Sequence, residues 1–277
     1  MQFHRYLTIF LVMVALVSWL TSHAEESTRR DEMSEQSKTY NLSGFTGVYA
    51  SAAIDVELTQ GDAFSVVAYT ESGDFSGLEL RVEDGVLIAT RPEEIWKDKN
   101  TSSWQRFFGI VSGNRNISIK RVDGQRVIKI NGERVPTYTV RVTALGIDRL
   151  DASSSSSVTA KKIKTRDFAI KASSSGDINA EVMGGDVSVD ATSSGDVVLS
   201  GTCEKLDIKA TSSADVKASD LTAHQLNLRS TSSSNICAGA SGGDVSVDAT
   251  SSGEVVLSGT CEKLDIKATS GANVKAS

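Results

Sequence analysis

The chain has 277 residues, a formal net charge of −6 and 39% hydrophobic residues. This length allows one large or two small domains. The acidic balance argues against a nucleic-acid-binding protein, because such a protein needs a basic surface to displace counterions from phosphates. Short alternating stretches of Val, Ile, Thr and Ser predict strands rather than helices.

The first 24 residues have the pattern of a secretory signal peptide. After a short basic start, residues 7–20 form an apolar run that is short for a bilayer span. Small residues precede the expected cleavage after Ala24. We therefore expect an exported protein; the alternative is an uncleaved N-terminal anchor. Residues 25–39 are charged and lack a hydrophobic period, which predicts a flexible leader.

Residues 40–149 predict a β-rich N-terminal part. An alternating stretch at 54–58, a turn at 60–62 and a second stretch at 64–69 predict one hairpin, and Asp84-Gly85 marks the turn of another.

An aromatic insert at 92–116 interrupts this pattern with Trp96, Trp104, Phe107 and Phe108. Exposed aromatic residues are common binding anchors, so one interpretation is a partner-binding loop. The other is a cap that shields the open N-terminal end of the repeats from edge pairing.

Residues 150–277 consist of a repeat of 19 to 20 residues. Each copy has an aliphatic residue, a charged residue, a small residue and two hydroxyl residues, beginning at Leu150, Ile170, Val189, Ile208, Leu228, Val247 and Ile266. A fixed period of this size indicates a stacked array. Residues 185–219 and 243–277 match at 32 of 35 positions, which indicates duplication of a three-coil block. We predict an all-β fold: a right-handed, single-stranded parallel β-solenoid (β-helix).

We call the equivalent positions of successive coils a column. The period of two within each strand predicts which columns face inward. The aliphatic column should be buried. By the same parity, a serine column should form a buried hydroxyl ladder: Ser154, Ser174, Ser193, Ser212, Ser232, Ser251 and Ser270. Asp151, Lys171 and Asp190 begin an outward column of alternating charge whose partners should meet between neighbouring coils.

Two further outward columns are candidate sites. Asp177, Asp196 and Asp215 would stack as three carboxylates, which calcium accepts as ligands; the alternative is ordinary turn chemistry. A hydroxyl strip could bind a glycan, a surface, ice or mineral; the alternative is a solvated face. Its members are Thr192, Thr211, Thr231, Thr250 and Thr269.

Catalytic groups and disulfides are not indicated. His224 is the one histidine beyond the signal segment, so no His-based triad or multi-His metal site is available. Cys203 and Cys261 occupy equivalent positions three coils apart, about 14 Å, which is beyond the reach of a disulfide. With Cys237 the count is odd, which leaves pairing between molecules open. The last coil, which reaches Ser277 without a capping segment, predicts self-association or fraying there.

Three motifs resemble a known family: FTGVYASAAIDVELTQG at 45–61, VEDGVLI at 82–88, and Ser-Gly-Asp repeats at 174–178 and 194–197. The chain is similar to the bacterial "putative autotransporter adhesin head, GIN domain" family. The resemblance implies an exported β-solenoid in the periplasm or on the cell surface of a Gram-negative bacterium, and it brings no catalytic residues. We expect no cofactor other than the calcium considered above.

We therefore expect a non-catalytic binding or structural module, adhesin-like, whose partner is a glycan, a cell surface or another protein. The alternatives are a glycan-active β-helix enzyme and, more weakly, ice or mineral binding by the hydroxyl strip.

Overall fold

The computed structural model describes residues 36–92, 117–122, 125–130 and 132–277. The expected signal peptide and the aromatics Trp96, Trp104, Phe107 and Phe108 lie outside these residues. Every regular element in the described ranges is a strand. No helix in them is long and apolar enough to cross a membrane.

The strands fall into an N-terminal group and a repeat group. The N-terminal group is β1 (Gln36–Tyr40), β2 (Gly47–Ala50), β3 (Asp55–Gln60), β4 (Ser65–Thr70), β5 (Glu79–Glu83), β6 (Val86–Thr90), β7 (Ile117–Val122), β8 (Gln125–Ile130), β9 (Glu133–Val135) and β10 (Thr139–Ala144). The repeat group is β11 (Arg149–Ala152), β12 (Ser157–Ala172), β13 (Asp177–Ala191), β14 (Asp196–Ala210), β15 (Asp215–Ser230), β16 (Asn235–Ser241), β17 (Asp244–Ala249), β18 (Glu254–Thr260), β19 (Lys263–Ala268) and β20 (Asn273–Ala276).

Each coil of the repeat has two straight segments and one tight turn. In the coil that begins at Asp177, these are 177–182, 186–191 and the turn 192–195. We call the stack of first segments wall A and the stack of second segments wall B. Strand β13 pairs in parallel with β14 along both walls, from Asp177↔Asp196 to Ala191↔Ala210. The predicted β-solenoid is therefore confirmed.

The core lies between the two walls. The predicted aliphatic column is buried in every coil but the last: Ile170, Val189, Ile208 and Leu228 are at most 3% exposed, whereas Ile266 is 42% exposed. Burying an aliphatic side chain of this size contributes about 1.5–3 kcal/mol, so the repeated column is a major source of stability.

The predicted serine ladder is wrong. The column that contains Ser193 and Ser212 is exposed at the turn. Ser193 and Ser194 both have left-handed backbone conformations (φ 51° and 60°), and Gly195 N–H donates to Thr192 O at 2.9 Å. This is a type I′ turn. Strand parity does not hold across two left-handed residues, so the serine turns outward and the residue two positions later turns inward.

Three other serines of the repeat group are buried instead: Ser156, Ser230 and Ser234. They occupy core positions where other coils carry Ala or Gly. The Ser234 hydroxyl donates to Ala210 O at 2.7 Å, and the Ser156 hydroxyl donates to Ser153 O at 2.7 Å. Buried hydroxyls are thus present and hydrogen-bonded, as such groups must be.

The stack begins earlier in the chain than the serine repeat. Ala52 and Ala53 form a turn with the same left-handed pair (φ 57° and 59°), and Ala53 N–H donates to Ser154 O at 3.0 Å. Strands β2 and β3, on either side of this turn, pair in parallel with β11 and β12. The first coil therefore has the same turn geometry without the Ser-Ser sequence.

The N-terminal end differs from the predicted hairpins in one respect. Strand β10 lies between β3 and β4, parallel to β3 and antiparallel to β4, so β3 and β4 do not form the expected hairpin. The hairpin β5–β6, which turns at Asp84-Gly85, is confirmed. Strand β1 pairs with β4. Residues 36–39, which we expected in the flexible leader, therefore form a strand. The sequence did not indicate it, because the strand is held by backbone pairing and has no hydrophobic period.

A buried arginine after β6 contacts both the first turn of the solenoid and the segment before β10. Arg91 is 3% exposed. Its guanidinium donates to Ala52 O at 3.0 Å and Pro136 O at 2.7 Å, and it lies 4.9 Å from the centre of the Tyr138 ring. These contacts fix the chain before residue 92 and after residue 136 to the first turn of the solenoid.

Candidate binding surface

The turn edge carries the predicted hydroxyl strip. Thr192, Thr211, Thr231 and Thr250 are half-buried, and Thr269 is exposed. Each is the first residue of a turn, and its N–H bonds to the preceding coil, as Thr192 does to Ala172 O at 2.9 Å. Because the serines of the turn also face solvent, the hydroxyl-rich edge is wider than the sequence predicted.

The acidic column lies on the outer face of wall A. Asp177, Asp196 and Asp215 are direct partners on successive coils. Burial, Asp177 and Asp215 together raise the pKa of Asp196. Asn235 donates from its side-chain amide to Asp215 Oδ1 at 2.7 Å. In the described part of the chain, no group of three or more His, Cys, Asp or Glu side chains is arranged to hold a metal ion.

The charged column lies on the outer face of wall B, in the predicted register. Asp151, Lys171, Asp190 and Lys209 follow one another on successive coils. The alternation stops at the next pair, where Lys209 lies directly opposite Arg229. Like charges in this position are destabilising.

A depression of about 550 Å³ opens on wall B along this column. Its lining contains five cations and three carboxylates, a local excess of positive charge in a chain whose net charge is −6. The charged residues are Arg149, Asp151, Lys171, Asp190, Lys205, Asp207, Lys209 and Arg229. Ala169 and Ser188 also line it, and these short side chains lie opposite each other on neighbouring coils.

A second depression, of about 600 Å³, adjoins the first towards the N-terminal end. The two share Arg149, Asp151 and Lys171. The second adds Tyr49, whose hydroxyl lies 2.9 Å from Ser153 Oγ. Wall B therefore offers one continuous surface with cations, hydroxyls and an aromatic ring, the groups that bind polar ligands.

Asp151 and Glu83, which line these depressions, are each paired with an arginine. The Arg149 guanidinium contacts Asp151 Oδ2 at 2.6 Å, which fixes the buried Asp151 side chain. At the rim, Arg81 Nε contacts Glu83 Oε2 at 3.3 Å.

The three cysteines are free thiols, and their environments differ. Cys203 is buried, and burial, Asp186 and Glu204 raise its pKa to about 12. Cys237 is half-buried and Cys261 is exposed.

The Lys209–Arg229 break in alternation can be read from the sequence once the repeats are aligned, but the depression around it cannot. The depression depends on small side chains from one column lying beside long charged ones from another. Tyr49 was missed for a different reason: its strand precedes the serine repeat, and the parallel pairing of β2 with β11 places it beside Asp151.

The sequence profile of the family described as "Putative auto-transporter adhesin, head GIN domain" matches residues 44–243 and, in a second overlapping match, 225–277. No curated protein matches the chain by sequence.

Several solved structures resemble the chain. A "putative adhesin" from Bacteroides fragilis NCTC 9343 has a TM-score of 0.64 at 14% identity, covering 87% of this chain and 96% of that chain. A "Putative lipid binding protein" from Parabacteroides distasonis ATCC 8503 has a TM-score of 0.56 at 18% identity, covering 86% and 96%. A "putative adhesin" from Parabacteroides merdae ATCC 43184 has a TM-score of 0.55 at 12% identity, covering 87% and 95%. At these identities the likeness shows the fold alone.

Proposed function

The chain belongs to the family described as "Putative auto-transporter adhesin, head GIN domain", and we propose that it is an exported, non-catalytic binding module with an adhesin-like role at the cell envelope. The signal-peptide pattern of residues 1–24 supports export. The same pattern and the family description support a location in the periplasm or on the surface of a Gram-negative bacterium. Two of the structures similar in fold are themselves described as adhesins.

The observation that carries the proposal is the continuous outer face of wall B. Its two adjoining depressions are open and shared across successive coils. A ligand can therefore lie along the solenoid and contact several coils at once. Weak contacts repeated in this way add to a useful affinity without a deep pocket.

The chemistry of this face favours a polar ligand. Lys171 and Lys209 supply charge, Ser188 and Ser153 supply hydroxyls, and Tyr49 supplies an aromatic ring. A glycan on a cell surface or matrix presents complementary hydroxyl and charged groups. The similar structure described as lipid-binding shares the fold, and a lipid ligand here is an outcome for the binding experiment to test.

A glycan array probed with the purified chain tests the proposal. We expect binding to a defined subset of glycans. Tyr49→Ala should weaken it, because the half-buried ring lines the depression and provides a stacking surface. Tyr69→Ala is the matched control: Tyr69 packs against Arg141 at 4.3 Å on strand β4, away from wall B. Absence of binding to any glycan and to whole cells would contradict an adhesin-like role.

Two further assays separate the alternatives. Incubation with each bound glycan should release no new reducing ends, whereas release would show a glycan-active enzyme. Thermal hysteresis should be absent, whereas its presence would support the hydroxyl strip as an ice-binding surface.

Sequencing of the N-terminus of the protein isolated from the envelope should begin at Glu25. Recovery of the uncleaved chain in the cytoplasm would contradict export.

A further inference from the structure

We infer that the depression on wall B binds the anionic groups of an acidic polysaccharide, with Lys171, Lys209 and Arg229 as the contacting cations. This inference rests on the proposed binding function and names its ligand class. It is carried by the charge, spacing and lining of the depression.

The cations of the depression are not all neutralised within the chain. Arg149 is paired with Asp151 at 2.6 Å and Lys205 with Asp207 at 2.8 Å. Among the described residues, neither Lys171 nor Lys209 has an ion pair within 4.0 Å, although Asp190 lies between them in the column. The Arg229 guanidinium approaches Asp248 only to 3.9 Å. These three cations therefore retain capacity for an external anion.

The position of Lys209 and Arg229 supports the inference that the depression binds an anion. They are direct partners on neighbouring strands of wall B, where side chains lie about 5 Å apart and like charges repel. An anionic group bound between them would remove that repulsion and gain two charge-assisted contacts. The Lys209–Arg229 pair therefore destabilises the free protein but favours binding of an anion.

The spacing fits an extended polymer. Lys171 and Arg229 are separated by three coil steps, about 14 Å along the stack. Ser188 and Asn227, which also line the depression, offer a hydroxyl and an amide between the cations. A chain that repeats anionic and hydroxyl groups would contact several coils at once.

The lining disfavours a bilayer as the source of the anion. A membrane-binding surface combines cations with apolar side chains that enter the acyl boundary. The exposed large apolar residues of the described chain are elsewhere: Leu145, Met183, Val198, Leu264 and Ile266 are absent from this lining.

The duplication provides a matched control. Residues 197–212 and 255–270 are identical, so Lys267 has the same local sequence as Lys209. Both follow an aspartate in the charged column, Asp248 and Asp190 respectively. Lys267 does not line the depression, and in the described structure no arginine lies opposite it.

Affinity for polygalacturonate, heparin and neutral dextran, measured by calorimetry, tests the inference. The chain should bind at least one of the two acidic polymers and not dextran, and the affinity should fall as ionic strength approaches about 1 M. The Lys209→Ala/Arg229→Ala double variant should bind about tenfold more weakly. Lys267→Ala should bind within about twofold of the wild type. The double variant should unfold at the same urea concentration or higher.

Any one of the following results would overturn the inference. Dextran could bind as tightly as the acidic polymers, or the double variant could retain wild-type affinity. Vesicles of phosphatidylglycerol could bind through Lys209 and Arg229 where neither acidic polymer does, which would assign the anion to a lipid. If the glycan array shows neutral ligands alone, this inference fails and the proposed binding function stands. Absence of binding to any glycan or cell contradicts both.

Discussion

The two copies of the duplicated block have nearly the same sequence and different environments. Residues 185–219 and 243–277 match at 32 of 35 positions. Leu206 is fully buried, whereas its equivalent Leu264 is 42% exposed. The reason is that β14 pairs with both β13 and β15, whereas β19 pairs with β17 alone in the described structure. Burial in this solenoid is therefore supplied by neighbouring coils.

Truncating the two equivalent leucines should give the largest contrast. Leu206→Ala removes a fully buried side chain and should lower the free energy of unfolding by about 2–5 kcal/mol. Leu264→Ala should lower it by less than about 1 kcal/mol, since that side chain is already half in solvent. Urea denaturation of both variants measures the difference. Equal losses would show that local sequence, and not stacking, sets the contribution of each leucine.

The turn offers the next contrast, because the copies differ at one left-handed position. Ser213 has φ 62° and its equivalent is Gly271, with φ 76°. A left-handed conformation costs a residue with a Cβ roughly 1–2 kcal/mol, partly offset by the greater freedom of glycine in the unfolded chain. Ser213→Gly should therefore stabilise the fold by about 0.5–1 kcal/mol, measured by thermal unfolding. Gly271→Ser should do the reverse. Destabilisation by Ser213→Gly would mean that the serine side chain has a role in the turn.

The acidic column gives a smaller, pH-dependent contrast. Asp196 lies between Asp177 and Asp215. Burial and these two carboxylates raise its pKa above the ordinary value of 3.8. The ionised form is therefore disfavoured in the folded state. This penalty is fully present above the folded pKa and is lost as pH falls through it towards 3.8.

Asp196→Asn should raise the free energy of unfolding at pH 7 by about 0.2–1 kcal/mol, and the gain should shrink as pH falls towards 4. Urea titrations across this range measure it. The control is Glu254→Gln at the equivalent position, where the partners are Asn235 and Asn273 and Lys275 contacts Glu254 at 2.8 Å. That substitution should not stabilise the fold. A gain for Asp196→Asn that persists unchanged to pH 4 would contradict carboxylate repulsion.

Much of the fold was predictable because it repeats. The period fixed the coil length, the aliphatic column and the charge register between neighbouring coils. The serine column was mispredicted because strand parity does not describe a turn with two left-handed residues. The position of β10 between β3 and β4 depends on pairing across some 80 residues of sequence, which no local pattern encodes.

The candidate site was predictable only in part. The break in charge alternation at Lys209 and Arg229 is visible in the sequence once the columns are aligned. The depression around it is not, because it combines the outward column containing Ala169 and Ser188 with the charged column beside it. The contribution of Tyr49 could be predicted only by knowing that the first coil of the solenoid precedes the serine repeat.

Position in the stack, rather than local sequence, determines the burial and reactivity of each side chain. Two cysteine thiols test this claim most directly. Cys203 and Cys261 lie in identical stretches, 197–212 and 255–270. Cys203 is buried with a pKa raised to about 12, whereas Cys261 is exposed. Variants that retain one cysteine each (Cys237→Ala/Cys261→Ala and Cys203→Ala/Cys237→Ala) can be labelled with a thiol reagent at pH 8. Cys261 should react rapidly and Cys203 only on unfolding; equal rates in the folded protein would contradict the proposed stacking.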